Sequence, residues 1–410
     1  MQRFFKVLAI CMMIFSSAVF VLAGYAEAVI PDKITTVEEI ELTNTKFFNF
    51  TPVGNVETAK VGADKNLAEN YEVNVSLFNI IPLRKTKVYA GKRRYVTLCG
   101  TIYGIKLYSG GVIVISTEFI ETEEGRKNPG EDAGIKSGDI VKKINNKAVN
   151  SNKDISKICK ESSGKELIFT IERNGKTISI PLKTVKEKSS GVYKAGLWVR
   201  DSTAGIGTMT FYERETGIFA SLGHAICDID TGINLPLSRG TAVEARILGC
   251  SQGTDSEAGE LRGAFLHNDI GDLCINSECG IYGKLYSCDK NAPVFPVATS
   301  SEVRPGKAKI LCSVIDGEPQ YYDVEITRII DKESKQKNMS VKITDEKLLK
   351  ITGGIVQGMS GTPLIQDGKF VGAITHVFVG VPEEGYAIFA ENMLAVADEV
   401  KEIYEAKKVS

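Results

Sequence analysis

From Val192 onward the chain is cut into short runs of β-branched and aromatic residues separated by Gly, Asp and Asn. Runs this short do not sustain a helical stripe, but each can lend one face to a closed sheet, so this half is expected to build β-barrel structure. A final amphipathic helix is predicted over about Asn392 to Ala406, with Met393, Val396, Val400 and Ile403 recurring on one face. A length of 410 residues leaves room for two or three domains. The mix of 43% hydrophobic and 25% charged residues excludes a disordered or fibrous chain.

Within that half, Gly358-Met359-Ser360-Gly361-Thr362-Pro363 holds a small hydroxyl between glycines where the backbone must turn sharply. Glycine reaches φ values closed to other residues and lets a substrate carbonyl approach main-chain N–H groups, as an oxyanion hole requires. Alone, such a segment is a surface turn as readily as a catalytic one. A serine also needs a base that takes its proton during attack and returns it to the leaving amine. The chain has three histidines. His224 ends Ala220-Ser221-Leu222-Gly223-His224, between an apolar run and the polar turn at Asp228, like a strand end delivering an imidazole to a cleft. His267 sits among turn formers and reads as a surface or loop residue. His376 alternates within a β-branched run one hairpin after the serine, a setting where most histidines are packing residues.

Ser360 with its glycines, the hairpin from Leu364 to Ala373 and the upstream Leu222-Gly223-His224 resemble the trypsin-like serine peptidases. More closely, Gly205-Ile206-Gly207-Thr208-Met209-Thr210-Phe211-Tyr212, Leu222-Gly223-His224 and the run from Gly353 to Gly361 resemble the stage IV sporulation protein B family of endospore-forming bacteria, over nearly the whole chain. The resemblance implies a mainly β protein with a trypsin-like double β-barrel serine peptidase domain. It also implies Ser360 as nucleophile, His224 as base and the N–H groups of Gly358 and Ser360 as oxyanion donors. Asp345 would then orient the imidazole, and His376 would lie on a strand lining the substrate cleft. Asp272, forty-eight residues after His224, is the rival orienter, and a solvated carboxylate is the plainer reading of either aspartate. No cofactor or metal is expected, because Cys274, Cys279 and Cys288 lack the paired spacing of a zinc site. None of the nine cysteines lies in a glycine-framed turn, so a cysteine nucleophile is the weaker alternative.

A second signature lies upstream. The run from Asn128 to Val149 resembles the PDZ domain of bacterial proteases. Pro129 is expected to open a short helix, Gly134 and Gly138 to permit turns, and Asp139 to precede a strand with Ile140 and Ile144 inward. Residues 153 to 162 read as an amphipathic helix with Ile155, Ile158 and Cys159 on one face, and residues 166 to 184 as a hairpin around Asn174-Gly175. PDZ domains take an extended peptide as an added strand between a sheet edge and a helix. Tyr103-Gly104-Ile105-Lys106-Leu107 is the expected peptide-binding loop and edge strand, with a plain β-turn as the alternative.

Arg3 and Lys6 precede Val7 to Ala23, seventeen uncharged and largely apolar residues followed by Ala26-Glu27-Ala28. This pattern predicts an export signal, either cleaved or kept as a membrane anchor. The expected order is residues 1–28 as signal or anchor, 29–99 as juxtamembrane region or small added domain, 100–187 as PDZ domain and 188–410 as peptidase. A net charge of −1 gives no electrostatic case for a nucleic-acid partner. The resemblance implies a peptidase exported across the forespore membrane that cleaves a membrane-bound regulatory protein. That cleavage would release an intramembrane metalloprotease, activating a late mother-cell sigma factor, and self-cleavage near the N-terminus is implied as well. The rival from another class is a PDZ-based binding or signalling module with an inert peptidase domain.

Overall fold

The computed structural model describes residues 2–29, 33–36, 48–53, 70–90, 93–254, 257–315 and 317–409. The polar stretch between Glu57 and Asn70 lies almost wholly outside them. Two compact units result, one of Met1–Arg94 with Val297–Val303, the other of Tyr95–Pro296 with Arg304–Ser410.

In the first unit, Gln2–Val29 is a single helix carrying the uncharged segment. Seventeen residues of helix rise about 26 Å, less than the ~30 Å of a bilayer's hydrocarbon core. Among the described residues no helix is long and apolar enough to cross a membrane. Lys33–Thr36, Ile81–Ala90, Asn70–Leu77 and Phe48–Pro52 pair in that order as a four-stranded sheet. Val73, Val75 and Leu77, alternating along one strand, are fully buried, so one face of this sheet is a core. The region between the N-terminal segment and residue 94 therefore has a sheet of its own.

Two closed antiparallel barrels of six strands each form the second unit. Around the first, Tyr95–Thr117 pairs with Leu197–Tyr212, which pairs with Ile218–Ser221, then Gly280–Leu285, Glu260–Ser277 and Leu237–Ser251, and the last returns to Tyr95–Thr117. Tyr103, Ile105, Leu107, Met209, Phe219 and Ile281 fill it. The second barrel closes through Gly306–Cys312, Gln320–Ile329, Met339–Ile343, Val381–Phe389, Lys369–Phe378 and Pro363–Gln366. The closing helix, Ala390–Val409, buries Met393, Val396 and Val400 while Ile403 reaches its exposed margin. The expected double barrel is thus present, strand by strand.

The PDZ signature folds largely as its residues predict. Asn128 caps the short helix Pro129–Asp132, accepting the Glu131 N–H. Ile140–Ile144 is a strand, and Asn145 and Asn146 both take positive φ, as does the Asn174-Gly175 turn. Ser151 caps the helix Asn152–Glu161, whose Ile155 and Cys159 are buried against Val141, Leu167 and Phe169. Asp139 explains why the motif carries an aspartate: 1% exposed, it accepts two bonds from Arg173, at 2.6 and 2.7 Å, and the Lys136 N–H at 2.8 Å.

One expectation fails here. Tyr103–Leu107 is not an edge, because it pairs with Thr203–Gly207 on one side and Gly240–Glu244 on the other. With both edges taken, no peptide strand can be added there. The run was read as the start of the PDZ domain, yet Tyr95–Thr117 is one continuous strand whose first part closes the first barrel and whose last part enters the PDZ sheet. Gly111, at φ +133, marks the passage, since a Cβ there would lie 2.9 Å from the Val141 carbonyl oxygen and from Ile140 Cγ2. Residue 100, the expected start of the PDZ domain, lies within this strand, and the PDZ elements stand in sequence between the first two strands of the first barrel.

Candidate active site

The glycine-framed serine is held in the chain between the helix Glu346–Thr352 and the strand Pro363–Gln366. Gly358 and Gly361 have φ of +96 and +93, the left-handed region that favours glycine. At Gly361 even a methyl group has no room, because a Cβ would lie 2.2 Å from the Thr208 carbonyl oxygen and 2.4 Å from the Leu222 nitrogen. The serine turn of the second barrel is therefore seated directly on two strands of the first.

His224 comes from the other barrel. Leu222 and Gly223 both take positive φ just before it, at 66 and 71. For a buried leucine this is a strained conformation, which throws the following residue out of the strand direction. A Cβ on Gly223 would strike Thr375 Cγ2 at 2.7 Å, so the His224 segment lies against the strand that follows the serine hairpin. After His224, Asn276 pins the loop by accepting the Ile226 N–H and donating to the Ile226 and Leu235 carbonyls. Arg200 holds the next turn through Asp228 and Asp230.

The structure thus brings Ser360, His224 and His376 to one place. The rings of His224 and His376 lie 4.8 Å apart, centroid to centroid. His224 Nδ1–H donates to the Ala225 carbonyl at 2.8 Å, which leaves Nε2 as the basic nitrogen. Burial holds the His224 pKa below its ordinary value, against the bond to Ala225, which raises it. His376 is lowered to about 4 by burial, by His224 and by Lys337, and its Nδ1 is buried without a hydrogen-bond partner among the described residues. Both imidazoles are neutral at neutral pH, the form a general base requires. The Ser360 hydroxyl donates to the Thr375 carbonyl at 2.8 Å. Around it the N–H groups of Met359, Gly361 and Thr362 are engaged by backbone carbonyls. Among the described residues no acceptor engages the N–H of Gly358 or of Ser360, so both are free to meet an oxyanion.

Neither expected carboxylate reaches the imidazole. Asp345 caps the helix Glu346–Thr352, with Oδ1 accepting from Lys347 and Leu348 N–H at 3.0 Å and Oδ2 from the Asp323 N–H at 3.3 Å. Asp272 is exposed and accepts the Tyr286 hydroxyl at 2.7 Å. In their place the Ala225 carbonyl holds Nδ1, a partner that residue types alone do not reveal. His267 is exposed, on the strand Glu260–Ser277. Cys99, Cys159, Cys227, Cys250, Cys279, Cys288 and Cys312 are free thiols. A cavity of about 730 Å³ lined in part by Cys99, Tyr103, Tyr212, Arg246 and Cys288 contains neither His224 nor Ser360.

The free PDZ edge is elsewhere than expected. Leu197–Arg200 pairs with Ile113–Thr117 on one side, and among the described residues nothing pairs with its other side. Half-buried Leu197 and Val199 pack on the PDZ core beside Ile158 of the helix Asn152–Glu161, whose first N–H donates to Asp201 at 2.9 Å. An edge strand beside a helix is the arrangement that accepts an added peptide strand. The consecutive apolar residues Leu197-Trp198-Val199, followed by Arg200, are the available signal of a strand.

Family models and known proteins match parts of the chain. A PDZ domain model matches residues 104–184. Over 99 residues the chain is 28% identical to the zinc metalloprotease RasP of Shouchella clausii (strain KSM-K16), a stretch that makes up 24% of this chain and 23% of that protein. The chain thus spans less than a quarter of that curated relative. Among solved structures, the HtrA-type protease AlgW with decapeptide aligns at 15% identity with a TM-score of 0.30, over 54% of this chain and 62% of that one. The model of the SpoIVB peptidase S55 family matches residues 191–394. That stretch runs from the approach to the free PDZ edge to the closing helix and takes in both His224 and Ser360, and the chain accordingly belongs to the SpoIVB peptidase S55 family.

Proposed function

We propose that Ser360 is the nucleophile and His224 the general base of this peptidase. The observation that supports the reading is that the serine turn is seated against Leu222, two residues before His224, and carries two unengaged N–H groups. His224 Nε2 would take the Ser360 proton as Oγ attacks the scissile carbonyl, and would return it to the leaving amine. For this the hydroxyl exchanges its bond to Thr375 for one to His224. The Ala225 carbonyl stabilises the imidazolium formed, and the Gly358 and Ser360 N–H groups receive the oxyanion, each such donor being worth ~3 kcal/mol in comparable enzymes. His376 lines the substrate cleft as a neutral ring.

The substrate we infer is a membrane-bound regulatory protein in sporulation signalling between compartments, reached after export across the forespore membrane under the N-terminal segment. Its cleavage releases an intramembrane metalloprotease and so leads to activation of a late mother-cell sigma factor; the chain also cuts itself near its N-terminus. Family membership supports the setting, and the partial likeness to a zinc metalloprotease supports a place beside such an enzyme. The PDZ edge at Leu197–Arg200 takes an extended peptide. The test is covalent labelling of the purified full-length chain by a fluorophosphonate, with the modified residue located by mass spectrometry. Label on Ser360, lost in Ser360→Ala and in His224→Ala, is the expected result. The engagement of the serine hydroxyl by Thr375 favours the inert binding module instead, and that reading wins if Ser360→Ala leaves cleavage and signalling intact.

A further inference from the structure

The serine turn is not held by its own barrel alone. Thr208, fully buried on the strand Leu197–Tyr212 of the first barrel, meets it twice: its N–H donates to the Ser360 carbonyl at 3.1 Å and its Oγ1 to the Gly358 carbonyl at 2.7 Å. Two residues on and facing the same way, buried Thr210 donates Oγ1 to the Gly361 carbonyl at 2.7 Å. Because a peptide unit is planar, pinning a carbonyl also fixes the N–H of the next residue. The Gln357 carbonyl, bonded by the Leu261 N–H at 2.9 Å, fixes where the Gly358 N–H points. The Met359 carbonyl, bonded by Thr362 N–H at 3.0 Å, does the same for the Ser360 N–H. The unit between them, Gly358–Met359, is held on its carbonyl by Thr208 Oγ1 and on its N–H by the Val356 carbonyl. Gly358 has no side chain to restrict its rotation, so without the Thr208 bond the unit is held only through its N–H, by the Met359 bond to the Val356 carbonyl at 3.1 Å, and the angle between the two oxyanion donors is set less tightly.

We propose that Thr208 is a positioning residue, which sets the mutual direction of the Gly358 and Ser360 N–H groups through its hydroxyl; this rests on reading Ser360 as the nucleophile. Thr208→Val keeps the shape of the side chain and removes the donor. Thr208→Ser keeps the donor and removes a methyl. On the full-length chain, Thr208→Val is expected to slow fluorophosphonate labelling of Ser360 by about tenfold or more, since a buried carbonyl loses its partner and the oxyanion site its geometry. Thr208→Ser is expected to stay within about threefold of the parent rate, because the hydroxyl bond survives. Should Thr208→Val fail to fold, shown by loss of its circular dichroism signal, Thr208→Ala takes its place with the same expectation. Labelling at the parent rate without the hydroxyl overturns the proposal, and so does a serine variant as slow as the valine one, which would assign the role to the methyl. A parent chain that takes no label overturns the nucleophile reading itself, and this inference with it.

Discussion

The two barrels reach the same six-stranded closure by opposite routes. The second takes all its strands from residues 306–389, most of them pairing with a neighbour in sequence. The first takes its opening strand from Tyr95–Thr117 and the other five from residues 197–285, with the PDZ elements between. Local pairing is inexpensive in loop entropy, whereas the first barrel must join segments some eighty residues apart before its core exists. What that long connection gains is continuity. Leu197–Tyr212 begins as the free PDZ edge, holds the His224 loop through Arg200 and ends beneath the serine turn at Thr208 and Thr210. The second barrel supplies the serine, and the first supplies His224 and the seat on which the serine rests.

The sharpest way to break this division is at the seat. Gly361→Ala puts a Cβ against two backbone atoms of the first barrel, within 2.4 Å, at a φ that alanine rarely adopts. Neither atom belongs to a side chain that can move aside. A loss of about 3 kcal/mol or more is expected, read by denaturant unfolding, together with loss of Ser360 labelling. A variant with the parent midpoint would mean that the two barrels are not seated on one another as described. Next in size is Arg173→Ala. It leaves Asp139 buried with only the Lys136 N–H as partner, at an expected cost of about 3 kcal/mol. Because the PDZ sheet and the first barrel share two strands, calorimetry is expected to show one transition moved down as a whole. A separate low-temperature transition would show that the insertion unfolds by itself, and would weaken the case for a strand that links peptide edge to active site.

The same contrast accounts for what the sequence reveals. The turns that carry Ser360 and His224 were legible because their glycines have one physical use, the positive φ taken by Gly223, Gly358 and Gly361, and the second barrel was legible because its strands are consecutive. The PDZ module was legible for its turns and helix, whose chemistry is local. Its binding edge was not: Tyr103-Gly104-Ile105 has the residues of an edge strand, and only the return of Leu237–Ser251 from over a hundred residues downstream shows both sides taken. Thr208 gives no such signal, since in sequence a buried threonine bonding a distant carbonyl looks like any β-branched strand residue. The Ala225 carbonyl carries no residue-type signal at all.

A milder test uses pH. His376 titrates near 6.5 when unfolded and at about 4 in the fold, where burial, His224 and Lys337 disfavour its charge. The unfolded chain therefore binds the proton first as pH falls. Stability is fully present above about 6.5 and is lost as pH drops from there towards about 4. His376→Gln is expected to flatten that part of the melting-temperature profile, and equal slopes in the two proteins would show that the ring does not stand in the low-polarity joint between the barrels.

The smallest effect is expected where the resemblance had placed the third catalytic group. Asp345 spends its oxygens on the first turn of Glu346–Thr352 and on the Asp323 N–H, all inside the second barrel's own segment. Asp345→Ala should therefore cost about 1 kcal/mol of stability, the usual value of a lost helix cap. It should leave Ser360 labelling within a few-fold of the parent. An orienting carboxylate behaves differently, since its removal slows attack by several orders of magnitude with little change in folding. Finding that pattern would mean that the helix cap is released during catalysis and that the aspartate moves to His224. Finding the modest one would leave a carbonyl of the first barrel as the imidazole's partner, so that base and orienter come from one barrel and the nucleophile alone from the other.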